Sequence, residues 1–415
     1  MNIWLINHYA VPPALYPLAR TSCFAKYLEK LGHTVTIFAA STVHNSDINL
    51  IEGKKAYREE TADGVRYVYV RTCRYRGNGI KRIINMFQFS VRVRKVCGHF
   101  AKPDAILASS ATPPACMAGL KLSQKYGCRG VAEVSDLWPE SFVAYGLIGK
   151  RNPLLIPMYM FEKRMYKKAD AVIFTMEGGA DYIRGKGWDK EQGGPVDMAK
   201  VFHINNGVDM EEFEYNREHY RYEDPDLMAE GVFKAVYAGT VGKANSLAAI
   251  VGAAEILQEK GADNIRFIIY GDGEEREALV KSCSEKGLSN IVFKGRVDKK
   301  YIPFILSSAD LNIVHVKSSP IMRYGMSLNK LFDYFAAGRP ILSDMDTNYD
   351  LIKKYSAGVV ITSQEPREIA EAVLRLSMES LEYLSELSEN ARRAAEDFDF
   401  KKLTEKLSRI LLEEK

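Results

Sequence analysis

The chain has 415 residues, of which 47% are hydrophobic and 27% charged, a composition that excludes a disordered or fibrous protein. Its length exceeds what one hydrophobic core usually serves, so two domains are expected. The net charge of +4 conceals an asymmetry, because residues 1–205 hold 29 Lys and Arg against 17 Asp and Glu, and the remainder holds 28 against 36. The excess of +12 in the first half predicts that this half faces something anionic.

The cysteines and histidines show no arrangement typical of a metal site. The six cysteines are scattered without a CxxC pair, and the seven histidines lack an HExxH motif. We therefore predict no metal, no disulfide framework and a reducing, cytoplasmic setting. The opening residues, MNIWLINHYAVPP, lack the features of a signal peptide, and no apolar run reaches the roughly 18 residues of a membrane span.

Short apolar runs alternate with helical patterns along the whole chain. In the first half they are Ile3–Ile6, Val35–Ala39, Ala105–Ala108, Val131–Val134 and Ala171–Phe174. In the second half they are Ala235–Ala238, Phe267–Tyr270, Ile291–Phe293, Leu311–Val314, Pro340–Ser343 and Gly358–Ile361. This spacing is typical of βαβ units and predicts two doubly wound, Rossmann-like α/β domains.

The domain boundaries follow from the polar, tyrosine-bearing segment Asp209–Gly231, which we interpret as a linker. The first domain is placed at residues 1–208 and the second at residues 209–398. The last stretch, at about 399–415, is predicted to form a final helix.

Ligands of open parallel sheets bind beyond the carboxyl ends of the strands. In the first half such a segment is GluValSerAspLeuTrpProGluSer, with the candidate residues Ser135, Asp136, Trp138 and Glu140. An aromatic plane beside carboxylates suits a sugar, whose apolar face stacks while its hydroxyls donate. Two alternatives stay open: Asp136 as a helix N-cap and Trp138 as a core residue.

The stretch Lys81–Lys95, KRIINMFQFSVRVRK, mixes apolar and basic residues. This mixture suits a helix that lies on an anionic lipid surface. The alternative is a core helix with basic ends.

In the second half, the first strand ends in AlaGlyThrValGlyLys, with the candidate residues Gly239, Thr240, Gly242 and Lys243. A glycine turn with a lysine suits a diphosphate. A tight turn with an ordinary surface lysine remains possible.

Two further strand ends continue this pattern. Gly271 and Gly273 shape a turn that is not a dinucleotide fingerprint, because GxGxxG would require glycine where Arg276 stands. Packing alone also explains that turn. Arg296 and Val297 offer a backbone edge for a nucleobase, or form a plain loop.

The segment Ser327–Pro340, SLNKLFDYFAAGRP, predicts a helix that ends at a left-handed Gly338. The loop before it and its first turn supply Lys317, Arg323 and Lys330 as a candidate anion cradle. Asp333 is placed to accept hydrogen bonds from a vicinal diol such as a ribose. The alternative is an amphipathic helix with a solvated polar face.

Taken together, these motifs resemble family 4 of the retaining glycosyltransferases, which have the GT-B fold, and especially the bacterial branch that builds capsule, O-antigen and other surface polysaccharides. The resemblance rests on the following segments in order: LysLeuGlyHisThrValThr, AspLeuTrpProGluSer, LysLysAlaAspAlaValIlePhe, IleAsnAsnGlyValAsp, TyrAlaGlyThrValGlyLys, TyrGlyAspGly and AsnLysLeuPheAspTyrPheAlaAlaGlyArgPro. It implies two domains that face a central cleft, with a nucleotide-sugar donor held by the second and an acceptor held by the first. It also implies that the final helix, at about 399–415, packs back on the first domain.

The resemblance also implies roles for individual residues. The donor-binding set is Gly239, Thr240, Gly242, Lys243, Gly271, Gly273, Arg296, Val297, Arg323, Tyr324, Ser327, Leu328, Asn329, Lys330 and Asp333. The acceptor-binding set is His8, Tyr9, Arg20, Ser135, Asp136, Trp138 and Glu140. The catalytic set is Lys243 and Lys330, which would stabilise the departing diphosphate, and Asp136, which would orient or help deprotonate the acceptor.

The chain departs from the family pattern in three places. The first acidic residue of the family's pair should stand eight positions before Asp333, where this chain has Gly325. Tyr324 or Ser327 would then have to substitute for it. Many relatives have histidine where this chain has Ser135, which excludes a histidine base there. Many also have a glycine pair after the first strand, where this chain has the proline-bearing segment 10–20.

The expected activity is transfer of a sugar from a nucleotide-sugar, with UDP favoured, to a lipid-linked saccharide at the cytoplasmic face of the membrane. The expected partners are the donor, the acceptor and an anionic membrane surface, with no nucleic acid and no cofactor. Alternatives are a sugar-nucleotide epimerase of the same fold and an inactive sugar-nucleotide-binding subunit.

Overall fold

The computed structural model describes residues 1–15, 20–44, 46–77 and 79–413. They form two compact units, the first made of Met1–Asn205 with the chain from Phe400 onward, and the second of Asn206–Asp399. The change of unit falls between residues 205 and 206, a few residues before the predicted boundary.

The first unit alternates strands and helices from its first residues. Its elements are β1 (Asn2–Ile6), α1 (Arg20–Lys30), β2 (Thr34–Ala40), β3 (Tyr57–Ala62), β4 (Val65–Val70), α2 (Ile80–Val96), β5 (Ala105–Ser109), α3 (Pro113–Tyr126), β6 (Arg129–Val134), α4 (Glu140–Ala144), α5 (Leu155–Lys168), β7 (Ala171–Phe174), α6 (Gly179–Gly185) and β8 (Val201–His203). The strands form one sheet in the order β3-β4-β2-β1-β5-β6-β7-β8, in which only β3 and β4 pair antiparallel.

The second unit continues the same alternation. Its elements are α7 (Met210–His219), β9 (Phe233–Ala238), α8 (Ala248–Glu259), β10 (Ile265–Tyr270), α9 (Arg276–Glu285), β11 (Ile291–Gly295), α10 (Ile302–Ser307), β12 (Leu311–Val314), α11 (Asn329–Ala337), β13 (Ile341–Ser343), α12 (Leu351–Tyr355), β14 (Gly358–Val360), α13 (Pro366–Ser377) and α14 (Leu381–Asp397). Its sheet is wholly parallel in the order β11-β10-β9-β12-β13-β14. The last helix, α15 (Phe400–Leu412), returns to the first unit.

The first sheet is covered by helices on both faces. Since successive residues of a strand point to opposite sides, each strand contributes to the core on either face. On β1, Ile3 and Leu5 join the core shared with α1 and α15. Ile6 faces the other side, where α3 comes so close that a Cβ at Gly119 would lie 2.5 Å from the Cβ of Ala108. Helix α3 in turn packs against α2 and α5, so these three helices form one layer.

The second sheet is built in the same way. On β9, Ala235 and Tyr237 join a core with α8 and α13. Val236 and Ala238 join a core on the opposite face, which includes Phe332 of α11. Helix α11 ends as predicted, because Gly338 takes a left-handed conformation with φ 61°.

Every strand predicted from an apolar run is present, and the predicted fold class, two doubly wound Rossmann-like α/β domains, is confirmed. The strands β3, β4 and β8 were not predicted.

The prediction that residues 209–231 form only a linker is wrong. The segment begins with the ten-residue helix α7, whose N-cap Asp209 accepts a hydrogen bond from the backbone N–H of Glu212. Of its residues only Phe213 is buried, so the helix has almost no apolar periodicity to detect.

Candidate functional site

The carboxyl edge of the second sheet is built from two glycine turns that lie against each other. The N–H of Gly239 donates to the carbonyl of Tyr270 at 2.9 Å, and the N–H of Val241 donates to the carbonyl of Asp272 at 3.0 Å. A Cβ at Gly271 would lie 1.7 Å from the carbonyl oxygen of Gly239, and φ there is 145°. Gly271 is therefore required by packing between the turns, which is the alternative that the sequence left open.

The same contact explains Gly273 but not Gly242. A Cβ at Gly273 would lie 2.3 Å from the carbonyl oxygen of Val241, whereas one at Gly242 would meet nothing closer than 3.7 Å. Among the described residues, no atom therefore lies close enough to require a glycine at position 242. A close approach by a ligand would.

Lys243 and Thr240 project from the first of these turns and are exposed. Within the part of the chain that the structure describes, Lys243 has no hydrogen-bond or ion-pair partner. An unpaired ammonium at the carboxyl edge of a parallel sheet is placed to receive an anion.

Lys330, in the first turn of α11, reaches the same turn from the other side. Its Nζ donates to the hydroxyl of Tyr237 at 3.0 Å, to Oδ1 of Asn245 at 3.2 Å and to the carbonyl of His315 at 3.4 Å. Desolvation by the surrounding protein lowers the pKa of the amine to about 7. An anion beside it would favour the charged form.

Asp333 lies one turn further along α11 and is half-buried. Its carboxylate has no hydrogen-bond or ion-pair partner among the described residues. Burial raises the pKa of this carboxyl to about 6. Because a desolvated carboxylate without donors is unfavourable, the site would be stabilised by a ligand that brings hydroxyl groups.

The loop before α11 has no carboxylate where the family pattern has one. Gly325 takes φ 89°, a conformation that L side chains rarely adopt, so an acidic residue there would be strained. Neither candidate substitute is free. The hydroxyl of the buried Tyr324 accepts from Nη2 of Arg323 at 2.7 Å, and Oγ of Ser327 accepts from the N–H of Asn206 at 2.9 Å.

The remaining predicted donor residues differ in exposure. Arg296 and Asn329 are exposed, whereas Val297 and Leu328 are half-buried and pack against the core that includes Phe332. Leu328 is the N-cap of α11 and gives no side-chain cap, so the first N–H groups of that helix have no side-chain acceptor at this position.

In the first unit, the predicted acceptor residue Arg20 is held within the protein. Its Nε donates to Oε1 of the buried Glu133 at 2.9 Å, and its other nitrogens donate to the carbonyls of Ile204 and Asn205. The Arg20 side chain is only 12% exposed. It therefore ties β6 and the end of β8 to α1. Residues 16–19 of the proline-bearing segment before it lie outside the described residues.

His8 and Tyr9 follow β1 and belong to a polar cluster that the sequence did not predict. His8 is buried, its Nε2 lies 2.6 Å from Oδ1 of Asn85, and burial lowers the pKa of its ring to about 3. Tyr9 accepts from Nε of Arg82 at 3.0 Å and stacks near His44. The members come from the ends of β1 and β2 and from the start of α2, so they are distant in sequence.

The segment 135–140 places its candidates in different surroundings. Asp136 is open to solvent, although enough protein surrounds it that desolvation raises the pKa of its carboxyl. It is not a helix N-cap, because α4 begins four residues later after Pro139. Trp138 packs edge-on against Phe142, with the ring centroids 4.3 Å apart.

The other two residues of that segment have mainly backbone or internal contacts. The carbonyl of Ser135 accepts from Oγ1 of Thr175 at 3.4 Å. Oε2 of Glu140 accepts from the hydroxyl of Tyr159 and from Nζ of Lys186, each at 2.6 Å. Glu140 is thus held by α5 and the end of α6.

Two searches of the described residues gave negative results. No group of three His, Cys, Asp or Glu side chains there could hold a metal ion. In the same ranges, no helix is both long enough and apolar enough to cross a membrane.

Two family models match the chain, one in each half. Residues 19–193 match the glycosyl transferase 4-like domain, and residues 223–394 match the glycosyl transferases group 1. A search of curated protein sequences found no match.

Several solved structures share the fold over almost the whole chain. Sucrose-phosphate synthase from Thermosynechococcus elongatus has a TM-score of 0.72 at 15% identity, covering 99% of this chain and 98% of that one. WaaG, a glycosyltransferase of lipopolysaccharide biosynthesis, has a TM-score of 0.66 at 15% identity and covers 100% of both chains. HepE of Anabaena, in complex with UDP and glucose, has a TM-score of 0.64 at 13% identity and covers 99% of both.

These neighbours confirm the predicted GT-B fold, and the two family models between them account for most of both units. The chain therefore belongs to the glycosyltransferases of the GT-B fold, with a family 4-like first domain and a group 1 second domain.

Proposed function

We propose that this glycosyltransferase moves a sugar from a UDP-sugar to a lipid-linked saccharide in the synthesis of a bacterial surface polysaccharide. The observation that supports a nucleotide-sugar donor most strongly is that Lys243 and Asp333 of the second unit have no hydrogen-bond or ion-pair partner among the residues that the structure describes. The similar fold of HepE, whose structure contains UDP and glucose, is consistent with this donor, and that of WaaG with the product class.

The donor would be held by its two chemically distinct parts. Lys243 and Lys330 would stabilise the charge that grows on the departing diphosphate, with no metal required, and Asp333 would accept hydrogen bonds from the ribose hydroxyls. Binding of the diphosphate would raise the low pKa of Lys330, so that its amine is fully protonated in the complex. Asp136 is the candidate group that orients or helps deprotonate the acceptor hydroxyl in the first unit.

Retention of the anomeric configuration would follow from attack on the face from which the diphosphate leaves. The acceptor hydroxyl forms the new glycosidic bond, the bond from the sugar to the diphosphate breaks, and a phosphate oxygen takes the hydroxyl proton. This route needs no protein nucleophile. The role of the protein is then to position the groups and to stabilise charge.

A lipid-linked acceptor would require contact with a membrane, and α2 offers a surface for it. One face of α2 is buried, and the opposite face exposes five apolar residues, Ile80, Ile83, Ile84, Phe87 and Val91. The helix contains no acidic residue and five basic ones between Lys81 and Lys95. This exposed apolar face favours membrane contact over the alternative of a core helix with basic ends.

Helix α5 extends this surface, since α3 packs against both helices and places them in one layer. Ile156 and Met160 of α5 are 64% and 66% exposed, and four basic residues follow between Lys163 and Lys168. Exposed apolar side chains flanked by cations suit an anionic lipid surface.

Transfer is tested with the purified protein and a panel of UDP- and GDP-sugars, each with lipid-diphosphate-linked acceptors. The readouts are release of the nucleoside diphosphate and the mass of the product. We expect one UDP-sugar to turn over only with an acceptor. Interconversion of the sugar without an acceptor would instead establish the epimerase, and binding without turnover would establish the inactive subunit.

Membrane contact is tested by sedimentation with vesicles of phosphatidylcholine alone or mixed with phosphatidylglycerol. We expect binding only to the anionic vesicles, and a several-fold loss in the double variant Ile84→Ser, Phe87→Ser. Leu381→Ser is the matched control, because that side chain is 86% exposed in the second unit. Equal binding by both variants would contradict a membrane role for α2.

A further inference from the structure

A buried histidine–aspartate pair lies at the carboxyl edge of the second sheet. His315 directly follows β12, and Asp344 directly follows the neighbouring strand β13. Their side chains are 1% and 3% exposed, and Nδ1 of His315 is hydrogen-bonded to Oδ2 of Asp344. The other ring nitrogen, Nε2, lies 3.0 Å from the carbonyl oxygen of Ser246.

These contacts fix where the protons are. A carbonyl oxygen can only accept, so Nε2 of His315 must carry a proton toward Ser246. A further proton must lie between Nδ1 and Oδ2 of Asp344, since two acceptors cannot bond each other. The other oxygen, Oδ1 of Asp344, accepts from Nε2 of Gln364 at 3.2 Å. The ring and the carboxylate therefore form a pair with no net charge, and the ring faces an acceptor on both sides.

The carbonyl bonded to His315 belongs to Ser246, the last residue of the loop that carries Lys243. Ser246 has a positive φ of 50°, unusual for a residue other than glycine, so its backbone needs support from outside. Within the same loop, Nδ2 of Asn245 donates to the carbonyl of Thr240 at 2.8 Å. The backbone N–H of Lys317, two residues after His315, donates to the carbonyl of Ala244 at 3.0 Å.

We propose that His315, oriented by Asp344, is a positioning residue that fixes the loop Gly239–Ser246 so that Lys243 faces the donor diphosphate. The inference rests on the proposed function for the ligand, while the fixed loop and the proton positions can be measured without one. His315 itself does not touch the donor. It acts through the carbonyl of Ser246 and through its own carbonyl, which accepts from Nζ of Lys330.

Two substitutions of His315 test the contacts of its two ring nitrogens separately. In His315→Asn the amide nitrogen can take the place of Nδ1 and keep the contact with Asp344, but the side chain no longer reaches the carbonyl of Ser246, which keeps only the 3.5 Å contact with the N–H of Ala249. In His315→Gln the amide nitrogen can take the place of Nε2 and keep the contact with Ser246. Asp344→Asn is a second way to keep that contact, since the neutral ring would carry its one proton on Nε2.

The first readout is amide hydrogen exchange of the loop in the free protein. We expect exchange of the hydrogen-bonded amides of Asn245 and Ser246 to accelerate at least tenfold in His315→Asn and to stay near the wild-type rate in His315→Gln or Asp344→Asn. Exchange in the strands of the first unit is the internal control for folding. Equal protection of the loop in all variants would overturn the proposal.

The second readout is the ¹⁵N spectrum of the histidine rings at pH 8, with the His315 signals assigned by their loss in His315→Gln. The charged group that contacts this ring is Asp344, whereas the amine of Lys330 donates to the backbone carbonyl of His315. We expect Nε2 of His315 to be protonated both in the wild type and in Asp344→Asn. A wild-type ring without a proton on Nε2 would overturn the assigned contact with Ser246.

The third readout is calorimetric titration with UDP. We expect about tenfold weaker binding in His315→Asn than in the wild type, and less than threefold weakening in His315→Gln. Equal weakening in both would overturn the role of the Ser246 contact. A wild type that does not bind UDP would contradict the proposed donor and leave the exchange result as the test of the positioning role.

Discussion

The carboxyl edges of the two sheets carry similar types of charged residue, which differ in whether the protein supplies them with bonding partners. In the first unit, Arg20 is bonded to Glu133 and to two backbone carbonyls, and Glu140 is bonded to Lys186. In the second unit, Lys243 and Asp333 have no such partners within the described ranges. The difference indicates that Arg20 and Glu140 mainly hold the first unit together, whereas we propose that Lys243 and Asp333 bind a ligand. Asp136 is the exposed exception in the first unit.

The largest effect is expected where the first edge is broken. Arg20→Met leaves the carboxylate of Glu133 buried without its cation, so we expect the free energy of unfolding to fall by about 3–5 kcal/mol. Urea denaturation measures this, with Arg58→Met as control, since its ion pair with Glu60 is exposed and worth at most about 1 kcal/mol. UDP affinity should not change in the part of Arg20→Met that remains folded. An equal, small effect of both substitutions would show that Arg20 is not structural.

Lys243→Met should have the opposite signature. We expect kcat/KM to fall on the order of 10²- to 10³-fold, because one preorganised donor to the diphosphate is lost, with the thermal midpoint unchanged. Lys260→Met is the control, because it follows α8 at the opposite edge of the sheet. A loss of stability without a loss of activity would place Lys243 with the structural residues.

The two glycine turns separate packing from ligand contact. Gly271→Ala forces a Cβ against the carbonyl of Gly239 and should lower the free energy of unfolding by about 1–3 kcal/mol. Gly242→Ala has room in the free protein and should leave stability nearly unchanged while weakening UDP binding. Denaturation and titration of both variants check this. Wild-type UDP affinity in Gly242→Ala would remove that glycine from the donor site.

Substitution of Asp333 is expected to have the smallest effect and to change how stability and binding depend on pH. Its pKa in the folded protein, about 6, is above the usual 3.8, so folding favours the protonated carboxyl. The stability that this group contributes is present at low pH and is lost as pH rises through about 6. At pH 8, Asp333→Asn should therefore raise the free energy of unfolding by about 1–3 kcal/mol and weaken UDP-glucose binding roughly tenfold.

The pH dependence of binding checks the same residue. Affinity for UDP-glucose should fall below pH 6, since a protonated carboxyl accepts fewer hydrogen bonds, and the diphosphate diester itself does not titrate there. Asp333→Asn should show no such step. A step that persists in the variant would assign it to another group.

Much of the fold could be predicted because buried parallel strands are short apolar runs, as at Ala171–Phe174. The strand β3, YREETA, was not predicted because it lies at the sheet edge and none of its residues is buried. The residues of the donor site could be proposed because each follows a strand or opens a helix.

Other contacts within each unit could not be predicted, because they depend on which residues meet in space. His315 and Asp344 are 29 positions apart and meet only because β12 and β13 are neighbours in the sheet. Arg20 and Glu133 are 113 positions apart, and no pattern in the sequence around Arg20 indicated that its side chain is buried. The positive φ of Gly325, which would strain an acidic residue at that position, is a backbone angle that the family pattern does not specify.

The central claim is that the unpartnered charges of the second unit bind the donor nucleotide. The most direct test is calorimetric titration of UDP into the wild type, the double variant Lys243→Met, Asp333→Asn, and the control Lys260→Met. We predict equal binding by the wild type and the control, and affinity at least about 100-fold weaker in the double variant. A double variant that binds UDP as tightly as the wild type would contradict the account.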